Sequence, residues 1–282
     1  MILFRLIPDW LLYIVVIAAV VFVLFRFDER ADAPEALPDA PETGAFLPPP
    51  SAYDPEVLVE VGPVASGMGS AFAISEEGWW LTARHVVDGC ARVGLVVSRG
   101  AAAPVREVKR ALFADLALLR TDRAETALAI DTSEREFQIG QRAFHVGFPQ
   151  GRPGEAYSRL IGRERLVATG RYKVEEPVLV WAELGRTGGL HGSLAGISGG
   201  PAFAASGQVI GVTVAESARR GRIYTAAPSS ILRLLRVEQI DAVGAPAPRL
   251  TADNYGQESD DLRRSLAVAQ VVCVAPGNRP VT

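Results

Sequence analysis

The sequence predicts an all-β fold of the barrel or sandwich class. Ten short apolar runs are the first reason: Val57–Val61, Ser70–Ile74, Trp79–Thr82, Val93–Val97, Leu116–Thr121, Ala143–Phe148, Val178–Trp181, Ala202–Ala204, Val209–Val214 and Ile223–Ala226. The second is what divides them. Clusters of Gly, Pro and Ser separate the runs in a chain of 27 Gly and 19 Pro, as many turns between short strands require. The third is the scarcity of helical periodicity. Between Val57 and Ile240, Ser229–Val237 is the stretch that reads as a short helix, with Ile231, Leu234 and Leu235 on one face.

In front of this domain stand two segments of different character. Trp10–Phe25 is an uninterrupted apolar run without a charge. As a helix it spans roughly 24 Å against a hydrocarbon core of ~30 Å, and Ile2–Ile7 extends it. Arg5 and Arg26 are placed to snorkel to the headgroups. The nearest small-x-small site, Ala31-Asp32-Ala33, is followed by Pro34, a poor context for signal cleavage. Residues 1–26 are therefore expected to be an uncleaved transmembrane anchor in the lipid bilayer. Residues 27–56 carry seven prolines and eight acidic residues against one Arg, so they read as a Pro-rich acidic linker.

The domain proper is expected at 57–240, and 241–282 as a tail that docks on it. In the tail, Ser259 is a candidate helix cap, and Leu262, Leu266, Ala269 and Cys273 fall at helical spacing. A net charge of −3 with 22% charged residues offers no basic field for nucleic acid. Two cysteines are too few for a disulfide scaffold or a four-ligand zinc site, so no metal or cofactor is expected.

One constellation supplies what a weak serine nucleophile needs: a base, a group that orients the base, and donors for an oxyanion. Ser198 sits in Gly196-Ile197-Ser198-Gly199-Gly200-Pro201, a glycine-framed turn between strand-like runs. The N–H groups of Gly196 and Ser198 are the expected oxyanion donors. His85 follows directly on the apolar strand beginning at Trp79. Asp115 opens an apolar strand, where a buried acid requires a partner. Of the other two histidines, His145 lies in an alternating run and reads as a packed strand position. His191 reads as a solvated residue of the loop before Ser198.

Taken in order, GSAFAIS, WWLTARHVV, ADLALLR, GISGGPAF, VIGVTVA and IYTAAPSSIL resemble the trypsin-like serine peptidases of the high-temperature-requirement (HtrA-like) type. The order His, Asp, Ser is that of the chymotrypsin class. The resemblance covers roughly Val61 to Leu235. It implies a chymotrypsin-like double β-barrel, and a serine endopeptidase in which His85 is general base, Asp115 its orienting partner and Ser198 the acyl-forming nucleophile. It also implies a periplasmic catalytic domain on a single-pass inner-membrane protein. Ile197 stands where the family has Asn or Asp, and Arg84 where it has a small residue. The 42 residues after Ile240 are too few for the family's PDZ module.

The specificity pocket is expected between Gly192–Ile197 and Gly211–Glu216, with Gly192, Ile197, Val212 and Val214 contacting substrate. No acid lies just before Ser198, so small or medium apolar side chains are favoured over Arg or Lys, and Glu216 reads as a solvated loop residue. The alternative to an endopeptidase is a peptidase-fold binding module that holds a peptide or partner protein at a resting site. A non-peptidic esterase is a third reading. Cys90, five residues after His85, and Cys273 are expected to form a disulfide if the tail docks beside the first barrel; two separate buried thiols are the alternative.

Overall fold

The computed structural model describes residue 42 and residues 44–131 and 137–277. The expected anchor and much of the expected linker lie outside the described residues. Among the described residues no helix is long and apolar enough to cross a membrane.

Two seven-stranded sheets make up the domain. The first takes β2 (Gly67–Ser75), β3 (Trp79–Ala83), β4 (Arg92–Ser98), β5 (Ala101–Pro104), β6 (Glu107–Arg110), β7 (Leu116–Arg120) and β14 (Val268–Val274) in the order β5-β4-β14-β2-β3-β7-β6. The second takes β1 (Glu56–Val61), β8 (Arg142–Gly147), β9 (Gly154–Gly170), β10 (Val174–Arg186), β11 (Pro201–Phe203), β12 (Val209–Ser217) and β13 (Arg222–Ala226) in the order β1-β9-β10-β13-β12-β11-β8. Pairing of β8 with β9 closes six of these strands into a barrel, which leaves β1 parallel to β9 on the outside. Closure removes the exposed strand edges of an open sheet.

Phe72, Leu81, Leu116 and Leu118 of the first sheet pack with Phe144, Phe203, Val212 and Tyr224 of the second in one shared core. Each sheet has a further core of its own, around Trp181 in the second and around Trp80 and Leu95 in the first. Both buried indoles are satisfied: Trp181 Nε1 donates to Thr225 Oγ1 and Trp80 Nε1 to Thr121 Oγ1, each at 2.9 Å. The helices are short: α1 (Arg84–Val87), α2 (Pro228–Glu238) and α3 (Tyr255–Arg264). Helix α2 forms where the sequence places one, with Pro228 in its first turn and Ile231, Leu234 and Leu235 buried.

The stretch after Ile240 departs from the expected helical stripe. Helix α3 covers Leu262 but ends at Arg264, and Leu266 takes a left-handed φ of 54° that breaks the period. The β-branched run Val268–Val274 comes next in the chain and enters the first sheet between β4 and β2. Ala269, Val271 and Cys273 then face inward at strand spacing, and all three are buried. This segment is thus a central strand of the first sheet and not a tail docked on it from outside. Cys273 Sγ is bonded to Cys90 Sγ, with Cα atoms 5.5 Å apart.

Candidate active site

Strand pairing brings His85 and Asp115 together. Ala83, the last residue of β3, is paired with Leu116, the first of β7. The residues just beyond these ends therefore meet, and Arg84 N donates to Asp115 O at 3.0 Å. His85 Nδ1 lies 2.7 Å from Asp115 Oδ2, and the His85 backbone N–H donates to Oδ1 at 2.9 Å. Asp115 is 2% exposed, whereas the His85 side chain keeps 28% of its surface open to the cleft.

Two further side chains hold Asp115, one at its carboxylate and one at its backbone. Tyr172 donates its hydroxyl to Asp115 Oδ1 at 2.5 Å, and Glu176 Oε1 accepts the Asp115 backbone N–H at 2.7 Å. Arg84 stacks 3.9 Å above the Tyr172 ring and donates to Ala111 O. Arg171 donates to the His85 carbonyl at 3.0 Å and pairs with Asp88. The guanidinium of Arg84 is thus engaged by a ring, a carbonyl and Asp88.

Burial pulls the His85 imidazole down, but the charge of Asp115 and its hydrogen bond outweigh burial and a smaller push from Arg171. The net position is above 6.5. Burial pushes the Glu176 carboxyl up to about 8; the Asp115 N–H and the Ser230 hydroxyl oppose this, and the charge of Asp115 adds to it. Glu176 is consequently an acid at neutral pH, so no second negative charge is buried behind Asp115.

That arrangement has a measurable signature. Between about 4.5, its ordinary value, and about 8, Glu176 keeps a proton in the folded chain that the unfolded chain has lost. Stability attributable to it therefore falls as pH rises through this window. Glu176→Gln removes that slope, on the order of a few kcal/mol across the window. Urea denaturation at pH 5, 7 and 9 reads it: the variant gains most on the native chain at pH 9. Parallel profiles for the two proteins would refute the assignment.

The loop carrying Ser198 is held by backbone atoms. Ser70 N donates to Ser198 O at 2.8 Å, Gly199 N to Thr213 O at 2.7 Å, and Thr213 N to Gly200 O at 2.9 Å. Gly199 has φ +86°, and a Cβ there would meet Ser70 O at 2.1 Å and Thr82 Oγ1 at 2.3 Å. Only glycine fits a backbone so turned and so crowded. The loop and α1 converge over β2: a Cβ on Gly69 would come within 2.5 Å of Val86 Cγ1 and 3.2 Å of Ser198 O. Among the described residues Ser198 Oγ makes no hydrogen bond to His85. Such contacts are often long in free enzymes and tighten when substrate binds.

The carbonyls beside the glycine turn are both tied down. Ala195 O accepts Gln150 N–H at 2.6 Å, and Gly196 O accepts the Ser70 hydroxyl at 2.8 Å. In a trans peptide the N–H points opposite the carbonyl, so fixing Ala195 O turns the Gly196 N–H away from Gln150. Among the described residues neither Gly196 N nor Ser198 N has a protein acceptor.

The expected pocket is only partly as read. Gly192 is exposed, but Ile197, Val212 and Val214 are at most 2% exposed. Ile197 packs in the core around Trp181, and Val212 and Val214 in the core shared by the sheets. These three side chains are core residues with almost no exposed surface. Glu216 also differs from its expected solvated role: Oε1 accepts the Ser193 hydroxyl and Oε2 the Leu194 N–H, so it braces the loop. His145 is fully buried against Ser158, 2.7 Å away, and burial pulls its pKa down to about 3. His191 is exposed, and its carbonyl accepts Gln150 Nε2. Among the described residues no cluster of His, Cys, Asp or Glu is arranged to hold a metal ion.

Comparison with known proteins bears on this arrangement. The trypsin-like peptidase domain family matches residues 69–212, half of the chain, which includes His85, Asp115 and Ser198. The chain belongs to this family. Among relatives of this trypsin-like peptidase domain is a probable periplasmic serine endoprotease DegP-like of Rhizobium meliloti (strain 1021). It is 29% identical over 149 residues, which are 52% of this chain and 27% of the relative. The same description applies to a protein of Brucella suis biovar 1 (strain 1330), 27% identical over 214 residues, 74% of this chain and 39% of the relative. The chain thus spans less than half the length of either. The crystal structure of the Rv3671c protease from M. tuberculosis in its active form shares the fold. It superposes with a TM-score of 0.50 at 20% identity and covers 65% of this chain and 76% of that one.

Tyr172 and Glu176 are not marked by any signal in the sequence. They lie 57 and 61 residues from Asp115, beyond any local motif.

Proposed function

We propose that the chain is a serine endopeptidase that cleaves peptide bonds through an acyl-enzyme, with His85, Asp115 and Ser198 as its catalytic triad. The observation that carries this is the 2.7 Å contact between His85 and a buried Asp115, beside a glycine-turned serine with unclaimed N–H groups. His85 takes the Ser198 proton as Oγ attacks the carbonyl, and returns it to the leaving amine. Asp115 holds the Nδ1–H tautomer and stabilises the imidazolium. Gly196 N–H and Ser198 N–H receive the oxyanion. Because His85 titrates above 6.5, kcat/KM rises with pH as the imidazole loses its proton. A fluorophosphonate probe tests this reading: labelling of Ser198 is expected, and no labelling of the folded chain refutes it. A binding module with a resting site would show that negative result together with peptide affinity.

The Pro-rich acidic linker, residues 27–56, and the apolar run Trp10–Phe25 support a single-pass anchor. The description of the relatives as periplasmic supports a catalytic domain on that side of an inner membrane. The full-length chain is expected to stay with the membrane pellet after alkaline carbonate extraction, and release into the soluble fraction refutes the anchor.

A further inference from the structure

Resting on the peptidase reading, the geometry points to Tyr172 as a positioning residue of the triad, whose hydroxyl aims the Asp115 carboxylate at His85 and moderates its pull on the imidazole. A carboxylate that serves a histidine base has two tasks. It must turn one oxygen to the Nδ1–H, and it must stabilise the imidazolium without holding it so tightly that the base stays protonated. The last torsion of an Asp side chain is soft, so its oxygens keep one direction only where donors hold them.

At Asp115 the donors are divided unequally. Oδ2 faces His85 Nδ1 at 2.7 Å, while Oδ1 accepts the His85 backbone N–H at 2.9 Å and the Tyr172 hydroxyl at 2.5 Å. The first two donors belong to His85 itself and move with it. Tyr172 is the anchor from outside. It stands in loop 171–173 between β9 and β10 of the second sheet, whereas His85 and Asp115 stand at strand ends of the first. Among the described residues it is the one side chain besides His85 that reaches the carboxylate, since Glu176 bonds the Asp115 backbone. The bond therefore fixes Oδ1 from across the core and leaves Oδ2 to the imidazole.

Tyr172 is itself held in place. Gly170 is paired with Val61 of β1, and Arg171 N donates to Val61 O at 3.1 Å, which fixes the loop. The ring is buried, with the Arg84 guanidinium 3.9 Å and that of Arg171 6.0 Å from its centre. Burial and the charge of Asp115 push the phenol far above its ordinary value, so it keeps its proton and donates throughout the working range of pH. The two guanidinium charges act the other way and sharpen the donor. The remaining charges about the pair are Asp88, which takes Arg84, Arg110 and Arg171, and Glu176, which is protonated at neutral pH. Neither bonds the hydroxyl, so a difference between the native and Tyr172→Phe chains reports the hydroxyl alone.

Tyr172→Phe keeps the ring and removes one donor from Oδ1. The carboxylate then keeps more of its charge and holds the imidazolium more strongly. The acid limb of the kcat/KM profile against pH is expected to move up by about one unit. At the optimum kcat is expected to fall about tenfold with KM little changed, since the carboxylate also loses its anchor. An acid limb that stays in place or moves down overturns the proposal whatever the rate does, because a tyrosine that only packs changes stability and leaves the limb alone. Histidine NMR in the Ser198→Ala background reads the same shift without turnover. The His85 imidazole, assigned by its loss in His85→Ala, is expected to titrate about one unit higher with Tyr172→Phe than without it, and equal values overturn the proposal. This readout does not need the chain to cleave peptides, which fluorophosphonate labelling decides separately, so the two failures are told apart. Where Tyr172→Phe does not fold, a fluorotyrosine in place of Tyr172 keeps the shape of the side chain. Its more acidic hydroxyl donates more strongly, so the His85 titration is expected to move down, and an unmoved titration overturns the proposal.

Discussion

Ser198→Ala is expected to abolish fluorophosphonate labelling and to lower peptide hydrolysis by about 10⁴-fold or more, while the urea midpoint hardly moves. The two halves of this expectation have separate causes. The fold uses the backbone of Ser198, through the Ser70 N–H on its carbonyl and the glycines on both sides, and leaves the hydroxyl unused. Removing that oxygen costs the fold almost nothing. It takes away the nucleophile, and residual rate then comes only from binding and the oxyanion donors. Turnover that persists undiminished in a folded Ser198→Ala chain would sink the triad assignment.

The Cys90–Cys273 bond carries the second large effect. It closes a loop across a sequence separation of 183, and a crosslink of that span restricts the unfolded chain by about 5 kcal/mol in the chain-entropy treatment. Replacing both cysteines by serine is expected to lower the unfolding free energy by about that much. Denatured, unreduced native chain should show no free thiol. Urea titration of the two forms decides the matter: midpoints that coincide would mean the bond contributes nothing. Cys90 lies in the turn just after α1, so loss of the bond also loosens the segment on which His85 stands.

The sequence makes some features readable and conceals others, for identifiable reasons. His85, Asp115 and Ser198 stand out because each interrupts or adjoins a run of apolar residues, where a polar group needs a cause. Strand β9 is concealed. Glu155, Arg159, Arg163, Glu164 and Arg165 fill Gly154–Gly170 with charge, and its alternation is recognisable only once β1, β8 and β10 lie beside it. Glu175 and Glu176 are adjacent and chemically identical. Strand register alone exposes the first and buries the second behind Asp115. Strand β14 misleads because Leu262, Leu266, Ala269 and Cys273 satisfy a helical period by count. The β-branched density of Val268–Val274 is the better signal, and the turn at Leu266 is invisible to periodicity.

The position of β14 also determines how the two halves of the domain are nested. Gly67 of β2 is paired with Cys273 of β14, and the whole closed barrel lies in the chain between them. Topologically the closed barrel β8–β13 is an insertion within the first sheet, and β1 precedes both, so no single cut yields two fragments that each keep a complete sheet. Completing the first sheet means bringing together segments some 200 residues apart, a long-range closure whose entropy is lost before its contacts are gained. Until that strand arrives, β2 and β4 lack their common neighbour. His85 and Asp115 then stand on a sheet that still lacks one of its central strands.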